Sequence, residues 1–280
     1  YCGDGAANNG RLSKVHDRTR EYRFTQELTW AHDFDKHHID VLLAHESFKH
    51  SYDYDFMMKE QMKVSGNTEM SNFAKMTSID GYNQEYTTES YLSRARYNFA
   101  ERYFLDASFR RDGSSAFSYT GNEWQNFFSL GGGWLMSEEE FMKDIKWLDM
   151  LKIKASYGTL GNQNLDKAYP AEPLLSNAYS AVFGKPSIIY PGYQLAYLPN
   201  PNLRWEKVEA WEAGFETNLL RNRLHFEGVY YMKNTKDLLA EVPGISGTIP
   251  GIGNLGQIQN KGVEMAVTWR DQIGEWGYSV

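Results

Sequence analysis

At 280 residues, with 41% hydrophobic and 23% charged side chains, a net charge of −7 and a mean hydropathy of −0.59, the chain has room for one large domain or two ordinary ones. No apolar run approaches the ~18 residues of a membrane helix, which excludes a helical membrane protein but leaves a membrane β-barrel open. The absence of a basic tract argues against a nucleic-acid partner, and the single Cys2 cannot form an internal disulfide.

Aromatic residues are abundant: 19 Tyr, 15 Phe and 8 Trp. A barrel wall uses Tyr and Trp at both membrane interfaces, because their rings combine an apolar body with a polar edge.

In chain order, period-two alternation predicts strands and no competing helix. Over 20–30, Tyr22, Phe24, Leu28 and Trp30 share one face against Arg23, Thr25, Glu27 and Thr29. The segment AHDFDKHHID, 31–40, gathers His32, Asp33, Asp35, His37, His38 and Asp40; a hydrated turn is preferred there over a metal site. Over 38–50, Ile39, Val41 and Leu43 oppose Asp40, Ala44 and Glu46. A long loop is predicted over 51–88; its YDYDF, 52–56, lacks the glycine and distal glutamate of a calcium loop. Strands follow at 91–99 and 102–110, with Ala95, Tyr97, Phe99, Tyr103, Leu105, Ala107 and Phe109 on one face. The other face carries Arg94, Arg96, Arg102, Asp106 and Arg110.

A loop over 111–123 leads to a strand at 124–136, whose Gly131–Gly133 suggests a bulge or a close backbone approach. Residues 137–147 predict one helical turn capped by Ser137, with Glu140 three residues on. The strand 151–158 alternates without error: Leu151, Ile153, Ala155 and Tyr157 against Lys152, Lys154, Ser156 and Gly158. Its apolar face suits lipid and its lysines a wet lumen, since a lysine facing mid-bilayer costs about 2–4 kcal/mol. The loop 159–204 holds Tyr169, Tyr179, Tyr190, Tyr193 and Tyr197, with Asn162, Gln163 and Asn164 at its mouth. Aromatic faces stack on sugar rings and amides bond hydroxyls, so these residues are candidate substrate contacts; loop packing is the alternative for most of them. Strands at 205–217, 223–233 and 262–270 and the start of one at Tyr278 complete about ten. Between them GIGNLG, 251–256, reads as a glycine-rich loop, because no helix opens at Gly256 for a dinucleotide.

Connection lengths alternate. Short links lie near Asp35-Lys36, Ala100-Glu101, Leu220–Asn222 and 271–276, and long ones over 51–88, 111–123, 159–204 and 237–261. Tight periplasmic turns and long extracellular loops belong to an up-and-down outer-membrane barrel. No nucleophile elbow, zinc motif or phosphate loop accompanies the candidate acids and bases, so no enzyme or cofactor is expected.

Six segments carry a family resemblance in order: ESYLSRARYNFAERYFLDASFRRDGSSAF (89–117), FFSLGGGWLMSEEEFM (127–142), LKIKASYGTLGNQN (151–164), NPNLRWEKVEAWEAGFE (200–216), RLHFEGVYYMKNTKDLL (223–239) and NLGQIQNKGVEM (254–265). They resemble the SusC/RagA family of TonB-dependent outer-membrane transporters over about residues 85–280. The resemblance implies an all-β antiparallel up-and-down transmembrane barrel, of which these ten or so strands are a part of roughly 22. Residues 1–280 would be a partial barrel domain, with plug, TonB-binding segment, signal peptide and terminal strands absent; both ends read as cuts. It further implies import of oligosaccharides or peptides, energised through TonB, with a SusD-like surface lipoprotein as partner. Arg94, Arg96, Arg102, Arg110, Lys152 and Lys154 are then candidates to face the lumen or the plug. A siderophore or cobalamin receptor, or a non-transporting β-rich surface protein, is the alternative; a neighbouring SusD-like gene or solubility without detergent separates them.

Overall fold

The computed structural model describes residues 8–163, 169–184, 188–243 and 250–280. Its main element is a ten-stranded antiparallel sheet in the order β1-β2-β3-β4-β5-β6-β9-β10-β13-β14. The strands are β1 Arg11–Phe34, β2 His37–Met62, β3 Phe73–Phe99, β4 Tyr103–Ser114, β5 Trp124–Leu135, β6 Leu148–Asn162, β9 Glu206–Leu219, β10 Leu224–Lys236, β13 Gln257–Ile273 and β14 Trp276–Ser279. Two ribbons, β7 Leu175–Phe183 with β8 Ile188–Leu195 and β11 Leu239–Val242 with β12 Gly251–Asn254, interrupt the meander without joining it. Every main-sheet neighbour is therefore the next main-sheet strand along the chain. No α-helix occurs among the described residues.

The tight turns are left-handed at non-glycine residues: Asp35 (φ 52°), Ala100 and Glu101 (φ 54° and 55°), and Leu220, Arg221 and Asn222 (φ 58–60°). Positive φ at the tip of a short hairpin suits the right-handed twist of its strands, and the loop length fixes the register on both sides. Register then runs unbroken from Phe99↔Tyr103 to Thr88↔Ser114, and from Tyr103↔Trp134 to Gly113↔Trp124.

Contacts divide the chain into two units. In the first, Tyr1–Phe24 with Ser47–Thr87, the predicted loop over 51–88 is overturned: β2 and β3 stay regular, and only 63–72 connects them, with a single 3-10 turn at Met70–Asn72. The reason is that both faces of this stretch are polar or aromatic. One carries Arg20 on Asp53 (2.6 Å) and Lys49 on Glu85 (3.0 Å). The other carries Tyr52 and Tyr54 beside Tyr82, at 5.9 and 5.1 Å, and His50 on Tyr86 at 4.9 Å. Without an apolar face, alternation is invisible to a hydrophobicity count. Asp53 of YDYDF also accepts from Asn83 Nδ2 at 2.8 Å, within a strand rather than a calcium loop.

The second unit, Thr25–Glu46 with Thr88–Val280, is the amphipathic wall. Its apolar residues point outward and remain exposed, among them Leu130 (53%), Met265 (72%) and Val267 (62%). In water such a surface is an aggregation site; in a bilayer it is satisfied. An aromatic row borders it near the tight turns: Phe34 on His37 (4.9 Å), His37 on Phe99 (4.8 Å), Phe99 on Tyr103 (6.2 Å) and Tyr103 on Trp134 (6.5 Å). A second row lies toward the long connections, with Tyr91 on Trp124 (6.1 Å), Phe128 on Tyr157 (5.7 Å) and Tyr157 on Trp211 (4.2 Å).

Residues 137–147 differ from the expectation. Two 3-10 turns, Met136–Glu138 and Glu140–Met142, replace the single turn, and Ser137 lies inside the first rather than capping it. Glu139 decides this geometry by accepting hydrogen bonds from Tyr103 Oη and Trp134 Nε1 (3.2 Å), with Arg102 at 3.6 Å. GIGNLG likewise begins as a strand, β12, and not as a loop.

Candidate functional site: the inner wall and its rim

Cross-strand register assembles the inner face from the positions opposite the apolar ones. Arg96 pairs with Asp106, Asp106 with Gly131, Gly131 with Ser156, Ser156 with Glu212, and Glu212 with Tyr231. This face bounds a concavity of about 860 Å³. Arg94 donates from Nε to Asp106 at 2.9 Å, and Arg96 donates from Nε and Nη2 to Asp40 at 3.0 and 2.8 Å. Arg110 bonds Asp112 at 2.6 Å and Ser90 at 3.2 Å. Lys154 reaches across the β9 glycine Gly214 to Glu227 on β10, and a Cβ at Gly214 would meet the Gly228 carbonyl oxygen of β10 at 2.5 Å. Lys152 lies beside Gly133 and ends 4.6 Å from the Phe104 ring centroid. The triple glycine therefore makes no bulge, because the register through 129–135 is continuous, and Lys152 and Phe104 side chains lie against Gly133.

Five of the six predicted lumen residues, Arg94, Arg96, Arg110, Lys152 and Lys154, lie on this one face. Arg102 stands apart in the turn before β4, paired with Glu139. Most of these cations already hold a carboxylate, so the wall is a mixed-charge surface. Half-exposed pairs of this kind contribute about 0–1 kcal/mol each, and they can exchange partners at little cost.

At the rim of the long connections lies the buried core of this unit: Phe117, Leu203, Trp205, Phe127, Ala116 and Ala171, with Leu239 and Ile252 against it. Trp205 is the hub, 5.2 Å from Phe117 and edge-on to Phe127 at 6.0 Å, while its Nε1 donates to the Glu123 carbonyl at 3.2 Å. The tip of the Phe127 ring abuts Gly161: a Cβ there would lie 2.1 Å from Cζ. Asn254 Nδ2 donates to the carbonyls of Arg204 (2.7 Å) and Asp237 (2.9 Å), joining the connection before β9 to the one after β10. Asn122 adds a bond to the Leu203 carbonyl at 3.0 Å. The motifs RRDGSSAF, GTLGNQ, NPNLRWE and NLGQ thus meet in one ledge.

The predicted loop residues separate into groups. Tyr197 is buried and donates to the Tyr169 carbonyl at 2.7 Å; that burial raises its phenol pKa. Tyr169 donates to Ser115 Oγ at 3.2 Å, and Asn162 donates to Glu206 at 3.3 Å. Tyr190 and Tyr193 are exposed on β8, with Phe183 6.1 Å from Tyr190. Tyr179 lies on β7, and Asn164 lies outside the described residues. The ledge hub was missed from sequence. Its signal was present in Trp205 and Leu203 placed beside the polar turn Asn200-Pro201-Asn202. The histidines and aspartates of 31–40 are divided between the two faces. His37 meets Tyr97 at 2.6 Å and His38 meets Asp33, and no three potential metal ligands converge among the described residues.

Outward lipophilic strands between two aromatic rows, a charged inner face, and tight turns at one end only define a segment of outer-membrane β-barrel wall. Comparison with known proteins agrees. Residues 3–280 match the family model described as TonB dependent receptor-like, beta-barrel, and the chain belongs to that family. It is 30% identical over 278 residues to TonB-dependent receptor P3 of Formosa agariphila, covering 95% of this chain and 27% of that protein. It is 33% identical over 206 residues to TonB-dependent receptor SusC of Bacteroides thetaiotaomicron, covering 71% of this chain and 20% of that one. The structure of the RagAB peptide transporter superposes with a TM-score of 0.80 at 26% identity, covering 95% of this chain and 29% of that chain. The chain thus spans between a fifth and a third of the relatives it matches, and it is a piece of a receptor barrel in the outer membrane, not an enzyme.

Proposed function

We infer that this chain forms part of the wall of an active importer of oligosaccharides or peptides, energised through TonB and working with a SusD-like surface lipoprotein. The support comes from likeness to SusC over most of the chain and from the superposition on RagAB at 26% identity. The siderophore receptor PirA of Acinetobacter baumannii superposes at a TM-score of 0.54 with 12% identity, a likeness of fold alone. The observation that carries the reading is the joining of a mixed-charge inner wall to a packed rim ledge that displays exposed tyrosines. In the whole barrel, of roughly 22 strands, the inner arginines and lysines face the plug and the passing solute. Their half-exposed pairs exchange partners as a plug moves, without stranding a charge.

In this reading Tyr190 and Tyr193 contact the substrate, whereas Tyr169 and Tyr197 hold the ledge that carries them. Uptake and equilibrium binding of a labelled oligosaccharide or peptide, measured on the intact protein with Tyr190→Ala and Tyr193→Ala together, test this. About tenfold weaker binding is expected from the loss of two stacking faces. Unchanged binding removes β7–β8 from the substrate site.

A further inference from the structure

We propose that the outward face of β9, β10 and β13, at and just beyond the aromatic row at the rim, binds the phosphates of an outer-leaflet glycolipid through Lys207, Lys236 and Lys261. The inference goes beyond transport and does not depend on what the barrel carries.

Register fixes the arrangement. Lys236 stands directly opposite Lys207, and the next same-face pair toward the membrane is Asn234 opposite Glu209. Asn234 is also opposite Gln259, and one further step down Met232 faces both Trp211 and Lys261. Below these the outward residues are apolar: Ala213, Tyr230 and Val263 at the next level. All three lysines therefore share the lipid-facing side, within about two same-face steps of roughly 7 Å each. Above this edge the outward side chains are polar, and below it they are not, which places the lysines at headgroup depth.

The charge is not balanced within the cluster. Glu209 is the acceptor for both Lys236 (2.7 Å) and Lys207 (3.4 Å), so two ammonium groups share one carboxylate. Lys261 is exposed and joins no ion pair among the described residues. The nearby Asp237 is engaged by Arg204. Three ammonium groups against one carboxylate leave an anion to be supplied from outside. The Asn234–Gln259 amide pair, 2.7 Å apart, adds neutral donors and acceptors fit for sugar hydroxyls. A cationic cluster beside an apolar wall suits a molecule with phosphates above acyl chains, and each lysine adds to its retention at the surface.

The test uses the intact protein in detergent with diphosphoryl lipid A added, followed by native mass spectrometry and thermal melting. Diphosphoryl lipid A is expected to stay bound and to raise the melting temperature, whereas the same lipid stripped of its phosphates is not. The triple change Lys207→Gln, Lys236→Gln, Lys261→Gln should weaken binding by about tenfold or more, and the triple arginine variant should keep it. Equal binding of phosphorylated and stripped lipid by the wild-type protein overturns the proposal, as does full competition by inorganic phosphate, which marks an adventitious ion site. Equal binding by wild-type and glutamine variants also overturns it. If the triple glutamine variant does not assemble, Lys261→Gln alone with the two-lipid comparison decides the matter.

Discussion

The wall and the ledge of the second unit follow opposite rules of stability. In the wall, large apolar side chains such as Leu130, Val263 and Met265 are exposed, and strand pairing with no buried layer beneath holds the sheet. In the ledge, Phe117 and Leu203 have no exposed surface and Trp205 has little, as in the interior of a water-soluble domain. The difference teaches that one chain meets two solvents. Hydrocarbon rewards the wall for turning its apolar atoms outward, whereas water at the rim makes the connecting segments build their own core. In the proposed reading, the substrate-facing tyrosines are displayed from the part that does not rely on lipid.

That contrast can be broken most strongly at Trp205. Trp205→Ala should destabilise the ledge by about 3–5 kcal/mol while leaving the wall assembled. Hydrogen exchange should accelerate over 115–123 and 197–205 and stay unchanged over 128–134; acceleration of both would show that ledge and wall fold as one. Next in size is a charge on the lipid face. Leu130→Arg should cost about 2–4 kcal/mol in bilayer-folded protein, whereas Ser156→Arg on the inner face should cost under about 1 kcal/mol. Urea unfolding of the intact barrel in vesicles reads the difference, and equal costs would deny that the two faces meet different media.

The smallest effect lies at the turn end. The hydrogen bond from Tyr103, followed by that from Trp134, holds the Glu139 carboxyl below the usual carboxylate range. A lowered folded-state pKa means that its contribution is present above the ordinary carboxylate pKa and is lost as pH falls through the lowered value. The melting temperature of the wild-type protein should therefore fall more steeply on acidification than that of Glu139→Gln. Parallel acid limbs would show that Glu139 does not anchor this turn.

Much of the wall was legible because its chemistry is local. Leu151 to Gly158 names both faces in eight residues, and the short links at Asp35-Lys36 and Ala100-Glu101 fell where the hairpins turn. The upper halves of β2 and β3 were not legible, since Lys49–Asp55 alternates polar with aromatic and offers no apolar stripe to count. Nor was the role of Tyr197, because whether a loop tyrosine is displayed or buried depends on partners distant in sequence, here the carbonyl of Tyr169.

By itself the sequence determined which side of the amphipathic strands meets lipid, because a two-residue period and the cost of a buried charge leave one solution. Only the tertiary structure decided which cations are paired, which glycines serve a neighbour's reach, and that four separated motifs close on Trp205. Those outcomes depend on register between strands and on packing between connections, and both couple residues that no local pattern links.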